Sequence, residues 1–177
     1  MIDTERLILR GWIESDKRPF HAMCNDAAVM EYLGDFMSRA DVDSAAARQN
    51  GFLGRFGYCF WAVERKRDAA FLGFCGIKPG AAGTPIEGQV EIGWRLAQAH
   101  WGRGYALEAA QASLDWTWSN VDTDSVWAIT NSGNARSWGL MERLGMRHRP
   151  EHDFGHSQAD LEARLIPHIT YSIGRPI

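Results

Sequence analysis

The sequence predicts an α/β fold in which about four helices flank a mixed central sheet of about six to seven strands. Short apolar segments with strand periodicity alternate with amphipathic helical segments, in the order strand, two helices, three strands, helix, strand, helix, two strands. This order differs from the regular strand–helix alternation of a doubly wound sheet. The 177 residues are 45% hydrophobic and contain no linker, repeat or low-complexity tract, so we expect residues 1–177 to form a single domain.

The first half of the chain contains a predicted strand, two helices and a hairpin. Residues 6–10 read as the first strand, and residues 15–32 carry apolar side chains at helical spacing. The second helix, over residues 38–52, begins with a sequence of the capping-box form. Residues 59–63 and 70–77 are predicted strands separated by a charged turn, which indicates a hairpin.

The second half of the chain alternates strands and helices. Residues 89–96 are predicted to form a strand and residues 105–119 a helix, and the nearly all-apolar residues 126–130 indicate a buried strand. A further helix over residues 134–144 ends at Gly145, which is typical of the position after a helix C-terminus. Two last strands are predicted near residues 146–149 and 168–173.

Bulk composition excludes several classes of partner. The formal net charge of −3 and the isoelectric point near 6.1 lack the basic character of nucleic-acid-binding proteins. No apolar run approaches the ~20 residues of a membrane span, and the charged start of the chain is unlike a signal peptide. Three cysteines without CxxC spacing indicate buried, reduced thiols. We therefore expect a cytoplasmic protein with no nucleic-acid or membrane partner.

A glycine-rich loop directly before a helix is the most informative local feature. Gly102 and Gly104 flank Arg103, and the helical pattern begins at Tyr105. Glycines allow a ligand to approach the backbone closely, and the free N–H groups of a helix start attract anions, so the loop predicts a phosphate site. The alternative is a tight turn with glycines for packing. A dinucleotide-binding domain is excluded, because the third glycine and the downstream acid are missing.

Four segments, in order along the chain, resemble the GNAT superfamily of N-acetyltransferases, specifically the type that acetylates ribosomal-protein N-termini (RimJ/RimL). Residues 4–10 (TERLILR) are similar to the opening strand of that group. Residues 91–96 (EIGWRL) with 100–106 (HWGRGYA) resemble its coenzyme-binding strand and loop, although Trp101 stands where the general family has Gln or Arg. Residues 130–137 (TNSGNARS), ending at 144–146, resemble the second coenzyme motif, and residues 168–171 resemble the closing strand.

The resemblance implies acetyl-CoA as cosubstrate and a sheet splayed at the coenzyme-binding strands. The pyrophosphate is expected on backbone N–H groups of the glycine-rich loop, the pantetheine arm on the backbone of the preceding strand, and a carbonyl-polarising N–H near Gly93–Trp94. The Arg103 side chain either contacts a phosphate or is solvated. The residues expected to bind coenzyme A are Trp94, Leu96, Trp101, Gly102, Arg103, Gly104, Tyr105, Ala106, Asn131 and Asn134.

Glu91 is the candidate general base. Strand alternation places its carboxylate on the same face as Gly93 and Arg95. Some members of the superfamily use a glutamate on this strand, often through water, to accept the proton of the amine. The alternatives are an ion pair with Arg95 or a solvated strand face.

Ser137 is the candidate acid that protonates the departing thiolate. The RimJ/RimL resemblance implies this role for a serine eight residues before the helix-ending glycine, and Ser137 stands eight before Gly145. Many other members carry a tyrosine four residues before that glycine, where this chain has Met141. The alternative for Ser137 is a hydroxyl that bonds the backbone of the first helical turn, and for Asn134 a helix N-cap, which can coexist with coenzyme binding.

The acceptor is expected to be a primary amine, either a protein N-terminus or a small molecule. The first two helices and the segment before the last strand, with its histidines, are expected to border its site. No metal is expected, because the spacing of His100, His148, His152 and His156 fits no standard ligand set. The sequence is also compatible with a homodimer. The alternative function is a non-catalytic acyl-CoA-binding sensor.

Overall fold

The computed structural model describes residues 1–155 and 166–176. Over these residues the strands are β1 (Ile2–Asp3), β2 (Leu7–Arg10), β3 (Phe60–Arg65), β4 (Ala70–Pro79), β5 (Val90–Leu96), β6 (Ser125–Asn131), β7 (Arg147–His148), β8 (Phe154–Gly155) and β9 (Pro167–Gly174). The helices are α1 (Lys17–Met23), α2 (Ala27–Met30), α3 (Arg39–Phe56), α4 (Tyr105–Asn120) and α5 (Ala135–Arg143). Short 3₁₀ turns cover Glu14–Asp16, Gln98–His100 and Pro150–His152.

The strands form one mixed sheet. Their spatial order is β1-β2-β3-β4-β5-β6-β9-β7, and β8 also pairs with β9. The pair β5 and β6 is parallel, with α4 between them in the chain, whereas the other described pairs are antiparallel. A parallel pair needs such a crossover, and a helix is its usual form. The predicted α/β fold with a mixed central sheet is confirmed.

Strands β5 and β6 diverge after two residue pairs. They are in register only at Val90–Val126 and Glu91–Trp127. Beyond that point β5 stays paired with β4 as far as Leu96, while β6 stays paired with β9 as far as Asn131. One edge of β5 from Ile92 onward therefore has no strand beside it among the described residues. The splay expected at the coenzyme-binding strands is confirmed.

Helices cover the two faces of the sheet. On one face, Ala109, Ala110 and Leu114 of α4 are buried against apolar residues of β2 to β6. On the other face, residues of α1, α2 and α3 pack with Phe71 and Phe74 of β4. Strand alternation divides β5 between these faces, so Ile92, Trp94 and Leu96 face α4, whereas Glu91, Gly93 and Arg95 face α1 to α3.

Two details differ from the predicted elements. The single helix expected over residues 15–32 is two short helices, because Asp26 adopts an extended conformation and its Oδ1 accepts the N–H of Ala28 at 2.9 Å, which starts α2. The two-residue strands β1 and β8 were not predicted. Among the described residues, none of the helices combines the length and apolar character that crossing a bilayer requires.

Candidate active site

A cleft of about 720 Å³ opens where β5 and β6 diverge. It lies between β5, the loop before α4, the first turns of α4 and α5, and the end of α2. The sequence-predicted residues that line it are Glu91, Trp94, Leu96, Trp101, Gly102, Gly104, Tyr105, Ala106, Asn134 and Ser137. Arg103 and Asn131 are not among its lining residues. The fold thus brings ten of the twelve predicted positions to one cleft.

The open edge of β5 presents backbone groups to this cleft. The N–H of Ala97 donates to Leu72 at 2.9 Å and the Gln89 carbonyl accepts from Gly80 at 2.8 Å, so the odd-numbered residues of β5 direct their backbone groups toward β4. Backbone direction alternates along a strand, so Trp94 and Leu96 direct theirs toward the open edge. The indole N–H of Trp101 donates to the Leu96 carbonyl at 2.8 Å, which fixes the loop against the strand.

The glycine-rich loop leads directly into the N-terminus of α4. Gly102 and Gly104 have φ values of +69° and +79°, a left-handed conformation that residues with a side chain rarely adopt. The first intrahelical hydrogen bond runs from the Glu108 N–H to the Gly104 carbonyl at 3.0 Å. The N–H groups of residues 105–107 therefore precede the hydrogen-bonded ladder of the helix, and the positive end of the helix dipole adds to their attraction for an anion.

Arg6 and Glu108 support the loop from its outer side, and neither was predicted. The Arg6 Nε lies 2.6 Å from Glu108 Oε2, and the same guanidinium donates through Nη1 to the Arg103 carbonyl at 3.0 Å. Thr4 donates to the other Glu108 oxygen at 2.6 Å. Burial alone would raise the pKa of the Glu108 carboxyl, but hydrogen bonds from Thr4 and Arg6 outweigh it and hold that pKa below its usual value. Only the acidic residue in the first helical turn hinted at this contact.

The turn before α5 is built by two asparagines. The buried Asn131 side chain accepts the N–H of Gly133 at 2.9 Å, which closes the turn behind the cleft wall. The Asn134 side chain accepts the N–H of Ser137 at 3.2 Å, so Asn134 is the N-cap of α5. Asn134 also lines the cleft, so capping coexists with access to a ligand.

Four residues that line the same cleft carry hydroxyl groups, and Ser137 and Tyr32 are two of them. The half-buried Ser137 has no hydrogen-bond partner for its hydroxyl within residues 1–155 and 166–176, so the expected alternative of a hydroxyl bonded to the helix backbone is not observed. Met141 is buried and places a thioether on the cleft wall. Tyr32, which follows α2, lines the cleft and lies against Gly133, and sequence reasoning missed it because the predicted helix extended through it.

Glu91 forms an ion pair with Lys78 rather than with Arg95. Register pairs the two residues directly across β4 and β5, and the Lys78 ammonium contacts Glu91 Oε2. The same oxygen accepts the N–H of Ala81 at 3.1 Å. Glu91 is 8% exposed, and in the described part of the chain no bond occupies its second oxygen, Oε1. The carboxylate is therefore held in position at the cleft with one oxygen available.

A second cavity, of about 470 Å³, lies on the α1–α3 face of the sheet. Phe60, Phe74 and Arg95 line both cavities, so the two spaces meet there. Phe60 and Phe74 stack with centroids 5.4 Å apart, and a side chain at Gly93 would come within 2.7 Å of the Phe60 ring. The absence of a side chain at Gly93 therefore leaves room for Phe60 at this junction. The sequence favoured the first two helices as a border of the acceptor site, and α1 and α3 do line this cavity.

The histidines of the described residues lie in different surroundings. His100 lines the first cleft, and burial, with the nearby charges of Arg65 and Arg103, lowers its pKa below the usual value. His148 bonds Asp153 at 2.9 Å on the surface, and His156 lies outside the described residues. Over residues 1–155 and 166–176, no group of three or more His, Cys, Asp or Glu is placed to hold a metal ion.

Residues 6–147 of the chain match the family described as acetyltransferase (GNAT) domain. The chain is 33% identical over 148 residues to the uncharacterized protein YkkB of Bacillus subtilis, an alignment that covers 82% of this chain and 84% of that protein. Its structure superposes on an acetyltransferase of the GNAT family from Bacillus anthracis with a TM-score of 0.78, at 23% identity and covering 98% of each chain.

Two further solved structures share the fold and differ in acceptor. One is spermidine N-acetyltransferase from Vibrio cholerae in complex with CoA and spermine, with a TM-score of 0.74 at 17% identity, covering 97% of each chain. The other is RimL, a ribosomal L7/L12 α-N-protein acetyltransferase in complex with coenzyme A, with a TM-score of 0.76 at 16% identity, covering 97% of this chain and 95% of that one. At such identities these likenesses establish the fold alone.

Proposed function

The chain belongs to the GNAT acetyltransferase family, and from that membership we propose that it transfers an acetyl group from acetyl-CoA to a primary amine of a protein N-terminus or a small molecule. One observation carries the proposal. The unpaired edge of β5 adjoins the N-terminus of α4 in the same cleft that holds a carboxylate and a free hydroxyl.

The cleft fits coenzyme A in two respects. The N–H groups of Gly104, Tyr105 and Ala106 at the helix start suit a pyrophosphate, because they lie ahead of the helical ladder beside the positive end of its dipole. The backbone groups of Trp94 and Leu96 at the open edge suit the amides of a pantetheine arm, which would add to the sheet as an extended strand does.

The transfer requires a polarised carbonyl, a neutral amine and a protonated leaving group. The Trp94 N–H at the open edge donates to the thioester carbonyl, which stabilises the negative charge that develops as the amine attacks. A bond forms between the amine nitrogen and the carbonyl carbon while the carbon–sulfur bond breaks. Glu91 accepts the amine proton through its free Oε1, directly or by way of a water, and the Ser137 hydroxyl donates a proton to the thiolate.

The acceptor reaches this point from the opposite side of the sheet edge. The second cavity meets the cleft at Phe60, Phe74 and Arg95, so an amine in that cavity lies beside the thioester while the coenzyme occupies the cleft. Both substrates can then be present together, which is direct transfer in a ternary complex. The non-catalytic sensor has no support, because a carboxylate and a hydroxyl both line the cleft.

The experiment that tests the proposal has two readouts. We expect calorimetric titration to detect binding of acetyl-CoA, and a thiol-release assay over a panel of amines and N-terminal peptides to detect turnover. Glu91→Gln should lower kcat by about 100-fold without weakening acetyl-CoA binding, because the base acts on the acceptor. Absence of acetyl-CoA binding would exclude the proposed function, and full turnover of the Glu91→Gln protein would exclude this residue as the base.

A further inference from the structure

We infer that the second cavity binds an acceptor of the amino-acid type, a small molecule in which the primary amine lies next to a carboxylate on an aromatic or branched apolar body. The inference names the substrate class of the acetyl transfer proposed above and rests on that function. It follows from the walls of the cavity, its charge, and the position of one arginine.

The walls of the cavity are apolar and aromatic. Trp12 and Phe20 contribute from the α1 side, with ring centroids 4.8 Å apart, and Phe60 and Phe74 form the floor on the sheet. Phe52 of α3 lies at the same cavity. Five aromatic rings around one space favour an apolar or aromatic group of the ligand, because they remove that group from water.

The charged groups of the cavity are cations. Arg48, Lys78 and Arg95 line it, and no Asp or Glu does so in the part of the chain that the structure describes. Glu91 is the carboxylate at its border, and its charge is compensated by Lys78. Arg48, which is exposed on α3, forms no ion pair with a described residue. The cavity therefore keeps an excess of positive charge that attracts an anionic group of a ligand.

Arg95 is partly buried and pairs with no carboxylate of residues 1–155 or 166–176. Its Nη1 contacts Cys24 Sγ at 3.3 Å and Met30 Sδ at 3.7 Å, and sulfur is a weak acceptor. Its Nε is buried without a hydrogen-bond partner among the described residues. Buried polar groups are normally paired, and a planar guanidinium matches a carboxylate with two parallel hydrogen bonds. A ligand carboxylate supplies the acceptor that this side chain lacks.

The position of Arg95 also fixes where the amine must be. Arg95 lines both cavities, so a carboxylate bound there lies at their junction. In an α-amino acid the amine is attached to the carbon next to the carboxylate, and it is thereby held beside the thioester. A long polyamine fits poorly, because its additional ammonium groups would occupy a cavity in which Arg48 and Arg95 carry positive charge that no described carboxylate compensates.

The cavity volume agrees with a ligand of this size. About 470 Å³ lies within the range of small-molecule sites, and it accommodates one amino acid with a large side chain. The α-carboxylate of a free amino acid is absent from the first residue of a peptide, where an amide replaces it. The carboxylate therefore distinguishes a free amino acid from a protein N-terminus.

The test compares each amino acid with its own amide. We expect phenylalanine and leucine to be acetylated with kcat/KM at least about tenfold higher than phenylalaninamide and leucinamide. The amine of the amide is less basic, so a larger fraction of it is neutral and able to attack. Amine basicity alone would therefore make the amide the better substrate, which is the opposite of the expected result. Spermidine and peptides with a free N-terminus and an amidated C-terminus complete the panel. Phenylalanine should also bind the CoA-saturated protein in calorimetry, which is measured without any transfer.

Two arginine variants locate the carboxylate. Arg48→Gln and Arg95→Gln should each reduce the ratio of the phenylalanine rate to the phenylalaninamide rate by about tenfold. Arg48 lines only the second cavity, so Arg48→Gln should also leave acetyl-CoA binding unchanged. Both rates come from the same sample, so a partly misfolded variant does not change the ratio. Arg39→Gln, at an exposed position of α3 that lines neither cavity, is the matched control and should keep the ratio.

The outcomes separate this inference from the proposed function. Spermidine or a peptide as the preferred acceptor, amides that match their free acids, or no binding of phenylalanine to the CoA-saturated protein would each overturn the inference while acetyl transfer stands. An unchanged ratio in both arginine variants would overturn it as well. Binding of phenylalanine with no turnover of any amine would support the inference and exclude the proposed function.

Discussion

The Nε atom of Arg6 lies 2.6 Å from Oε2 of Glu108, although 102 residues separate the two in the chain. Glu108 stands in the first turn of α4, and Arg6 also donates to the Arg103 carbonyl at 3.0 Å. The segment before β2 therefore holds the glycine-rich loop at the helix start. This contact connects the beginning of the chain to the cleft between β5 and β6.

Arg6→Gln should weaken acetyl-CoA binding more than it weakens the fold. The pair is partly exposed, so its loss should reduce the free energy of unfolding by no more than about 1 kcal/mol. The loop would lose its outer support, and we expect calorimetry to show an increase in the acetyl-CoA Kd of several fold. Lys17→Gln breaks an exposed ion pair away from the loop and should leave Kd unchanged. Equal Kd values for both variants would contradict the support role.

Gly104→Ala should destabilise the loop conformation. Gly104 has φ of +79°, and an added Cβ would lie 3.3 Å from Arg6 Nη2. A left-handed conformation costs an L-residue about 1–2 kcal/mol, and we expect urea denaturation to show a loss of that size together with weaker acetyl-CoA binding. Gly139→Ala, inside α5 with open space around the added Cβ, should instead raise stability by about 0.5–1 kcal/mol. A neutral Gly104→Ala would show that the loop does not need this conformation.

Ser137→Ala should lower kcat by about 100-fold while acetyl-CoA binding is retained, because in the proposed transfer this hydroxyl protonates the leaving thiolate. Steady-state thiol release, with calorimetry on the same sample, measures both quantities. Ser132→Ala removes an exposed hydroxyl from the turn before α5 and should have no effect. If Tyr32→Phe loses turnover and Ser137→Ala does not, the thiolate acid is Tyr32, which lines the same cleft.

His100 should make stability depend on pH. Its pKa in the folded protein lies below the ordinary value of 6.5. Below that value the unfolded chain binds a proton that the folded protein does not, so the contribution of His100 is fully present above pH 6.5 and is lost as the pH falls through it. Urea denaturation at about pH 7.5 and 5.5 should show a smaller loss of stability for His100→Gln than for the unmodified protein. His21→Gln, in α1, should keep the full loss.

The α/β fold with its mixed sheet was predictable because β3, β4, β5 and β6 have clear apolar patterns and lie between strong turn or helix signals. The break between α1 and α2 was not, because the apolar spacing of residues 15–32 continues across Asp26 while its side chain starts a new helix. The Asp26 side chain bonds the backbone where α2 begins, and the spacing of apolar residues carries no information about such a bond.

The glycine-rich loop of the cleft was predictable, because Gly102 and Gly104 have positive φ values, a backbone conformation that favours glycine. Contacts that depend on tertiary pairing were not. The cross-strand register gives Glu91 the partner Lys78, whereas spacing along one strand suggested Arg95. The Arg6–Glu108 pair joins distant parts of the chain, so the local sequence shows an acidic residue in the first turn of α4 but does not indicate its partner.

The divergence of β5 from β6 has a consequence for how specificity can change. The cleft proposed to bind the acyl donor offers main-chain groups along the open edge and at the α4 N-terminus, and most side-chain replacements leave such groups in place. The cavity proposed to bind the acceptor is instead lined by individual side chains such as Phe20, Arg48 and Lys78. Substitution can therefore retune which amine is accepted while the acyl donor stays the same. Drift and selection can act on the two halves of the reaction separately, which makes this scaffold a favourable starting point for engineering new acceptors.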